Sequence, residues 1–122
     1  MDTIQTLKEV LQKIKNVKFA YIFGSYAKRE QTQKSDVDIA LYLEEDSFDA
    51  KLSVHHALQR SLGKDVDLVI LNTIKNFDLL QDILDEGILL KESIDDSRLM
   101  FELDKEHEMK DYAVFKKMND VA

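Results

Sequence analysis

The 122-residue chain has no cysteine and no proline, and only three glycines, Gly24, Gly63 and Gly87. Without cysteine there is no disulfide scaffold, no thiol nucleophile and no cysteine-ligated zinc or iron–sulfur site, and the composition suits a reducing cytoplasm. Long apolar runs are missing too: one of the longest, Phe19 to Phe23, is far short of a membrane span. The opening Met1-Asp2-Thr3-Ile4 lacks the basic-then-apolar layout of an export signal. With so little punctuation in the chain, each glycine is expected to mark a turn or a close approach.

What is present is the composition of a soluble globular protein, 44% hydrophobic and 34% charged, with room for one core, so residues 1–122 are expected to form a single domain. The net charge of −7 argues against a general nucleic-acid binder, whose footprint is a basic patch. Charge is uneven along the chain: residues 1–35 sum to +4 and residues 36–122 to −11. The positive end suits a small polyanion such as a nucleotide and the acidic remainder suits a basic protein surface. A lopsided solvated surface would look the same by charge alone.

Ile4, Leu7, Leu11 and Ile14 recur at helical spacing behind Thr3, a candidate N-cap, and predict a helix over 3–16. Val17 to Phe23 is β-branched and aromatic and stops at Gly24, a strand pattern. Residues 24–30 are expected as one short helix, followed by a polar loop through Ser35. Val37, Ile39, Leu41 and Leu43 alternate with Asp36, Asp38, Ala40 and Tyr42, the period of a half-buried strand. Ser47 is placed to cap a helix of about four turns that ends at Gly63. Val66 to Leu71 reads as a strand, Phe77 to Glu86 as a helix ended by Gly87, Ile88 to Leu90 as an edge strand, and the chain from Ser97 onward as a long final helix. This order predicts an α/β fold, a small mixed sheet flanked by helices with a C-terminal helix.

The chemistry concentrates in Gly24-Ser25-Tyr26-Ala27-Lys28-Arg29 and Ser35-Asp36-Val37-Asp38. Glycine at the end of a strand lets an anion approach the backbone, and free amides with the serine hydroxyl can hold phosphate oxygens. Alone, a Gly-Ser turn is an ordinary turn, and Lys28, Arg29 and Lys34 are ordinary surface cations. Asp36 and Asp38, two apart on a strand, leave the same face. Two carboxylates so placed repel, unless a hard divalent cation such as magnesium joins them. Asp65 and Asp67 share a face of the next strand by the same alternation, and either can complete a three-carboxylate cluster. Asp67, deeper in the apolar run, is the favoured third acid, with Asp65 the alternative.

Gly24-Ser25, ten intervening residues and Asp36-x-Asp38 together resemble the signature of the minimal nucleotidyltransferases, small relatives of the DNA polymerase β palm. The match extends through Ala27, Ser35 and Val66-Asp67-Leu68, and the element order agrees over essentially the whole chain. The resemblance implies a polymerase β-like nucleotidyltransferase fold with Asp36, Asp38 and Asp67 as catalytic and Mg²⁺-binding acids. Gly24 and Ser25 would hold the phosphates of ATP. Ser35 belongs to the match and to the expected nucleotide-binding set. Arg29, standing where the family often has glycine, could reach a phosphate and joins the expected nucleotide-binding set; Gln33 replaces a common proline. The small acidic members resemble the antitoxin half of toxin–antitoxin pairs, whose partner is a helical HEPN-family ribonuclease toxin. The implied activity is transfer of AMP from ATP to a tyrosine of that toxin. The alternative is an antitoxin that neutralises its toxin by docking, with a vestigial nucleotide site. A small-molecule nucleotidyltransferase, which usually needs a further domain, is a poor third.

Direct nucleic-acid or membrane binding is not expected. His55 and His56 diverge on their helix and do not make a metal pair, and one of them is expected to pack. His107 belongs to a charged helix face, while Phe101, Met109, Tyr112 and Phe115 are core or partner-contact residues.

Overall fold

The structure, a computed structural model, describes residues 2–120. The alternating run at 37–43 becomes β2 (Val37–Leu43), a central strand because its apolar side chains at Val37, Ile39, Leu41 and Leu43 are all fully buried. β1 (Val17–Phe23) pairs with it antiparallel, and β3 (Val66–Ile70) pairs parallel on its other side. β4 (Ile88–Lys91) closes the far edge against β1, giving a mixed sheet of order β3-β2-β1-β4. The parallel pairing of β2 and β3 requires a crossover, supplied by α2 (Phe48–Leu62). α1 (Thr3–Gln12), α3 (Phe77–Glu86) and α4 (Ser97–Asp120) complete the mixed-sheet α/β fold expected from the sequence. The chain divides into two compact units, one ending at Glu92 and the other beginning at Ser93.

In the first unit, Leu7 and Leu11 of α1 and Val54 and Leu58 of α2 share one core with Ala20, Ile22 and the apolar face of β2. The other side of β2 carries Asp38, the buried Ala40 and Tyr42, which stacks on Phe19, so only its start is polar. Helix ends follow local chemistry. Asp2, rather than Thr3, caps α1, its carboxylate accepting from the Gln5 amide at 2.9 Å. Ser47 caps α2, and Gly63 ends it at a left-handed φ of +63°. α1 stops at Gln12, short of the expected residue 16. There the buried Lys91 ammonium donates to Leu11 O and Ile14 O, both at 2.9 Å, carbonyls that also accept from Ile14 N and Val17 N. Burial pushes the Lys91 pKa below its ordinary value.

β3 is an edge strand, and its outward backbone groups need partners. The His55 ring lies 2.7 Å from Val66 O, and Gln59 Oε1 accepts from Val66 N at 3.2 Å. His55 is thus the packing histidine, and His56 is exposed.

The second unit is dominated by α4, laced along its length by Arg98–Glu102 (2.9 Å), Lys105–Glu108 (3.0 Å) and Lys110–Glu106 (3.4 Å) pairs. Its apolar residues Leu99, Met100, Leu103, Val114, Phe115 and Met118 are exposed. None of the described helices is long and apolar enough to cross a membrane.

Candidate active site

β1 delivers Gly24 at the N-terminal end of β2, because the antiparallel register sets Phe23 opposite Asp38. Gly24 has φ +70°, and a Cβ built on it would collide with Oδ2 of Asp38. The glycine is therefore required twice, by its backbone conformation and by the carboxylate lying against it. The short helix expected over 24–30 is a single turn instead. Lys28 N donates to Gly24 O (3.2 Å), Arg29 N to Tyr26 O (3.4 Å) and Glu30 N to Ser25 O (2.9 Å). The last two bonds, with Arg29 at φ +58°, form the closure that usually ends a helix on glycine. Arg29 thus occupies a left-handed position, which explains why glycine is the common residue there in the family the sequence resembles.

The acids come together through strand register. In the parallel ladder Asp38 is the direct partner of Asp67, so both side chains leave the same face, and alternation brings Asp36 to it as well. Asp65 sits one step outside the ladder, its carbonyl accepting from Val37 N at 3.1 Å. Asp38 is half-buried, whereas Asp36, Asp65 and Asp67 are exposed. Burial first, then the neighbouring carboxylates of Asp67 and Asp36, push the Asp38 carboxyl above the ordinary aspartate range, and a side-chain hydrogen bond with Asp67 adds to the shift. Of the two candidates for the third acid, Asp67 is the one in register with Asp38.

Three hard oxygen donors on one face, with a like-charge strain that a cation would relieve, suit Mg²⁺ in their chemistry. Among the described residues no group of three His, Asp or Glu side chains stands close enough to ligate one ion. Joint ligation therefore requires the exposed Asp36 or Asp67 side chain to swing inward.

The remaining expected residues are distributed around this face. Ser25 is half-buried in the turn next to Gly24. The Ser35 hydroxyl accepts from Thr32 N at 2.8 Å and so shapes the loop leading into Asp36. Lys28, read from the sequence as local positive charge, is paired with Glu86 at 3.2 Å, and that hydrogen bond and charge raise its pKa. An open cleft of about 480 Å³ lies beside the acids, lined by Lys34, Ser35, Asp36, Gln59, Lys64 and Asp65 among others. Two residues escaped the sequence reading, Tyr26 and Lys64. Tyr26 is buried in the main core directly after Ser25, and Lys64 reaches its hydroxyl. The available signal was an aromatic residue inside an otherwise polar turn.

A family model described as polymerase beta, nucleotidyltransferase matches residues 5–96. Two proteins of Methanocaldococcus jannaschii, each named putative protein adenylyltransferase, are 38% identical over 86 residues and 42% identical over 84. Each alignment covers 62% of this chain and 86% of the relative. A solved toxin–antitoxin structure with AMP-PNP matches with a TM-score of 0.77 at 25% identity, covering 97% of both chains. A tri-AMPylated HEPN toxin in complex with an MNT antitoxin, from Shewanella oneidensis, contains the same fold: TM-score 0.70, 23% identity, 97% of this chain and 98% of that one.

Proposed function

This chain belongs to the polymerase β nucleotidyltransferase family, and from that premise we propose that it is a protein adenylyltransferase acting as an antitoxin. It moves AMP from ATP onto a tyrosine of a cognate HEPN-family ribonuclease toxin, with residues 1–122 as the single working domain. The observation that carries this reading is the register of Asp38 with Asp67, on one face with Asp36 and against the Gly24 turn. The adenylyltransferase names of the archaeal relatives and the nucleotide-containing toxin–antitoxin structure support the choice of donor and partner.

Gly24 and Ser25 hold phosphate oxygens, because the glycine admits a bulky anion to the backbone and the serine supplies a hydroxyl. Arg29, exposed at the end of the same turn, is within the segment that can add a cation to the triphosphate. Ser35 fixes the approach of the loop to Asp36. Asp36, Asp38 and Asp67 would hold Mg²⁺, which when bound supplies charge stabilisation for the transferring phosphoryl group. The acceptor tyrosine oxygen forms a bond to the α-phosphorus, the α–β phosphoanhydride bond breaks, and pyrophosphate leaves. Asp67, exposed at the edge of the site, takes the tyrosine proton.

One observation favours docking alone as a second reading: the exposed apolar residues of α4, from Leu99 to Met118, form a surface that contact with another protein would cover. The two readings separate on the intact mass of the purified partner after incubation with ATP and Mg²⁺. Addition of AMP, abolished in the D36N/D38N variant, supports transfer. Neutralisation of the toxin with unchanged mass supports docking.

A further inference from the structure

Tyr26 and Lys64 take no part in the chemistry above, yet they join its two flanks. Tyr26 follows Ser25 in the turn and is only 4% exposed. Lys64 opens the segment that leads through Asp65 and Val66 to Asp67. Its ammonium donates to the Tyr26 hydroxyl at 2.8 Å and lies 5.5 Å from the centre of the same ring. The sheet order sets β2 between β1 and β3. A contact between the turn after β1 and the segment before β3 therefore passes across the start of β2, where Asp36 and Asp38 sit.

We propose that the Lys64–Tyr26 contact is a cross-brace that holds the Gly24–Ser25 turn at its working distance from Asp67, which makes Lys64 a positioning residue for nucleotidyl transfer. The inference rests on the transfer reading above. An in-line displacement needs the phosphate-holding turn and the proton-accepting acid in register, and a misplacement of about 1 Å can cost about 100-fold in rate. The turn is a single one, closed by an arginine in a left-handed conformation and held within itself by three backbone hydrogen bonds. Those bonds are internal to the turn, and the link from its buried aromatic residue to Lys64 ties it to the third-acid segment. The contact is directional, since the hydroxyl accepts from the ammonium.

The test is a double-mutant cycle on kcat for AMP transfer, with K64M, Y26F, the double variant and K64R. K64M is expected to lower kcat about 10-fold, and Y26F, which keeps the ring, about 3-fold, with the double variant no worse than K64M. K64R should recover most of the loss. Additive losses in the double variant would make Lys64 a substrate ligand, and an unchanged kcat with a lower melting temperature would make the contact purely structural; either overturns the brace. A wild-type protein that transfers nothing sinks the functional reading instead. In that event amide hydrogen exchange decides: K64M and Y26F must both speed exchange in residues 24–30 while leaving α1 unchanged, and unaltered protection of that turn overturns the brace.

Discussion

At its C-terminal end β2 finishes in a bracket of satisfied amides, whereas at its N-terminal end it opens on groups that oppose one another. The Asn72 side chain accepts from Leu43 N at 2.9 Å and donates to Leu43 O at 2.8 Å. Just beyond, the Asn16 side chain does the same for Glu45, at 2.8 and 2.9 Å. Five residues before Leu43 on the strand, Asp38 has Asp36 and Asp67 as charged neighbours and lies against Gly24. One strand thus carries a stabilising end and an end whose local arrangement works against stability. The difference separates residues selected by the fold from residues that only a ligand makes sensible.

The contrast is broken most severely at the acids. D36N or D38N should lower AMP transfer by about 10³-fold or more while the fold persists, measured by labelled-ATP transfer beside circular dichroism. The D38N protein without ligand should melt at or above the wild type at neutral pH. Because the folded-state pKa of Asp38 is raised, its contribution to stability is full below the unfolded-state value and is lost as pH rises through the folded-state value. Asparagine is free of that loss. Next in size, D67N should cost about 100-fold in transfer and D65N less than about 3-fold, a comparison that isolates the third acid by steady-state kinetics. G24A forces a β-carbon onto Asp38 at a positive φ. It should lower stability by about 1–3 kcal/mol in a denaturant titration and reduce transfer together with it.

At the other end of the strand the expected signs reverse. N72A removes two hydrogen bonds and should cost about 2 kcal/mol of unfolding free energy with kcat unchanged. The smallest effect is R29G, which relieves the left-handed arginine and should raise stability by up to about 1 kcal/mol in the same titration.

Much of this site was legible in the sequence, because alternation alone places Asp36 with Asp38 and Asp65 with Asp67. The pairing of Asp38 with Asp67 was not, since strand register depends on how α2 carries the chain from β2 to β3. Ser47 and Gly63 announced the ends of α2 by their side-chain chemistry. The residues at 24–30 permit a helix where the structure has a single turn, and arginine at the closing position gives no local sign of a left-handed backbone. At the early end of α1 the carbonyls are met by Lys91, 77 residues beyond Ile14, and no local pattern reports so distant a partner. The apolar positions of α4 were visible in the sequence as core or partner-contact residues, but not which are which: Phe101 is buried and Phe115 exposed.

The most direct measurement is a crystal structure of this chain with Mn²⁺ and a non-hydrolysable ATP analogue, the metal located by anomalous scattering. The expected result is metal density ligated by Asp36 and Asp38 with Asp67 turned toward it, and the triphosphate seated on Gly24 and Ser25. Metal bound elsewhere, or Asp67 facing away with the nucleotide outside that turn, would contradict the account.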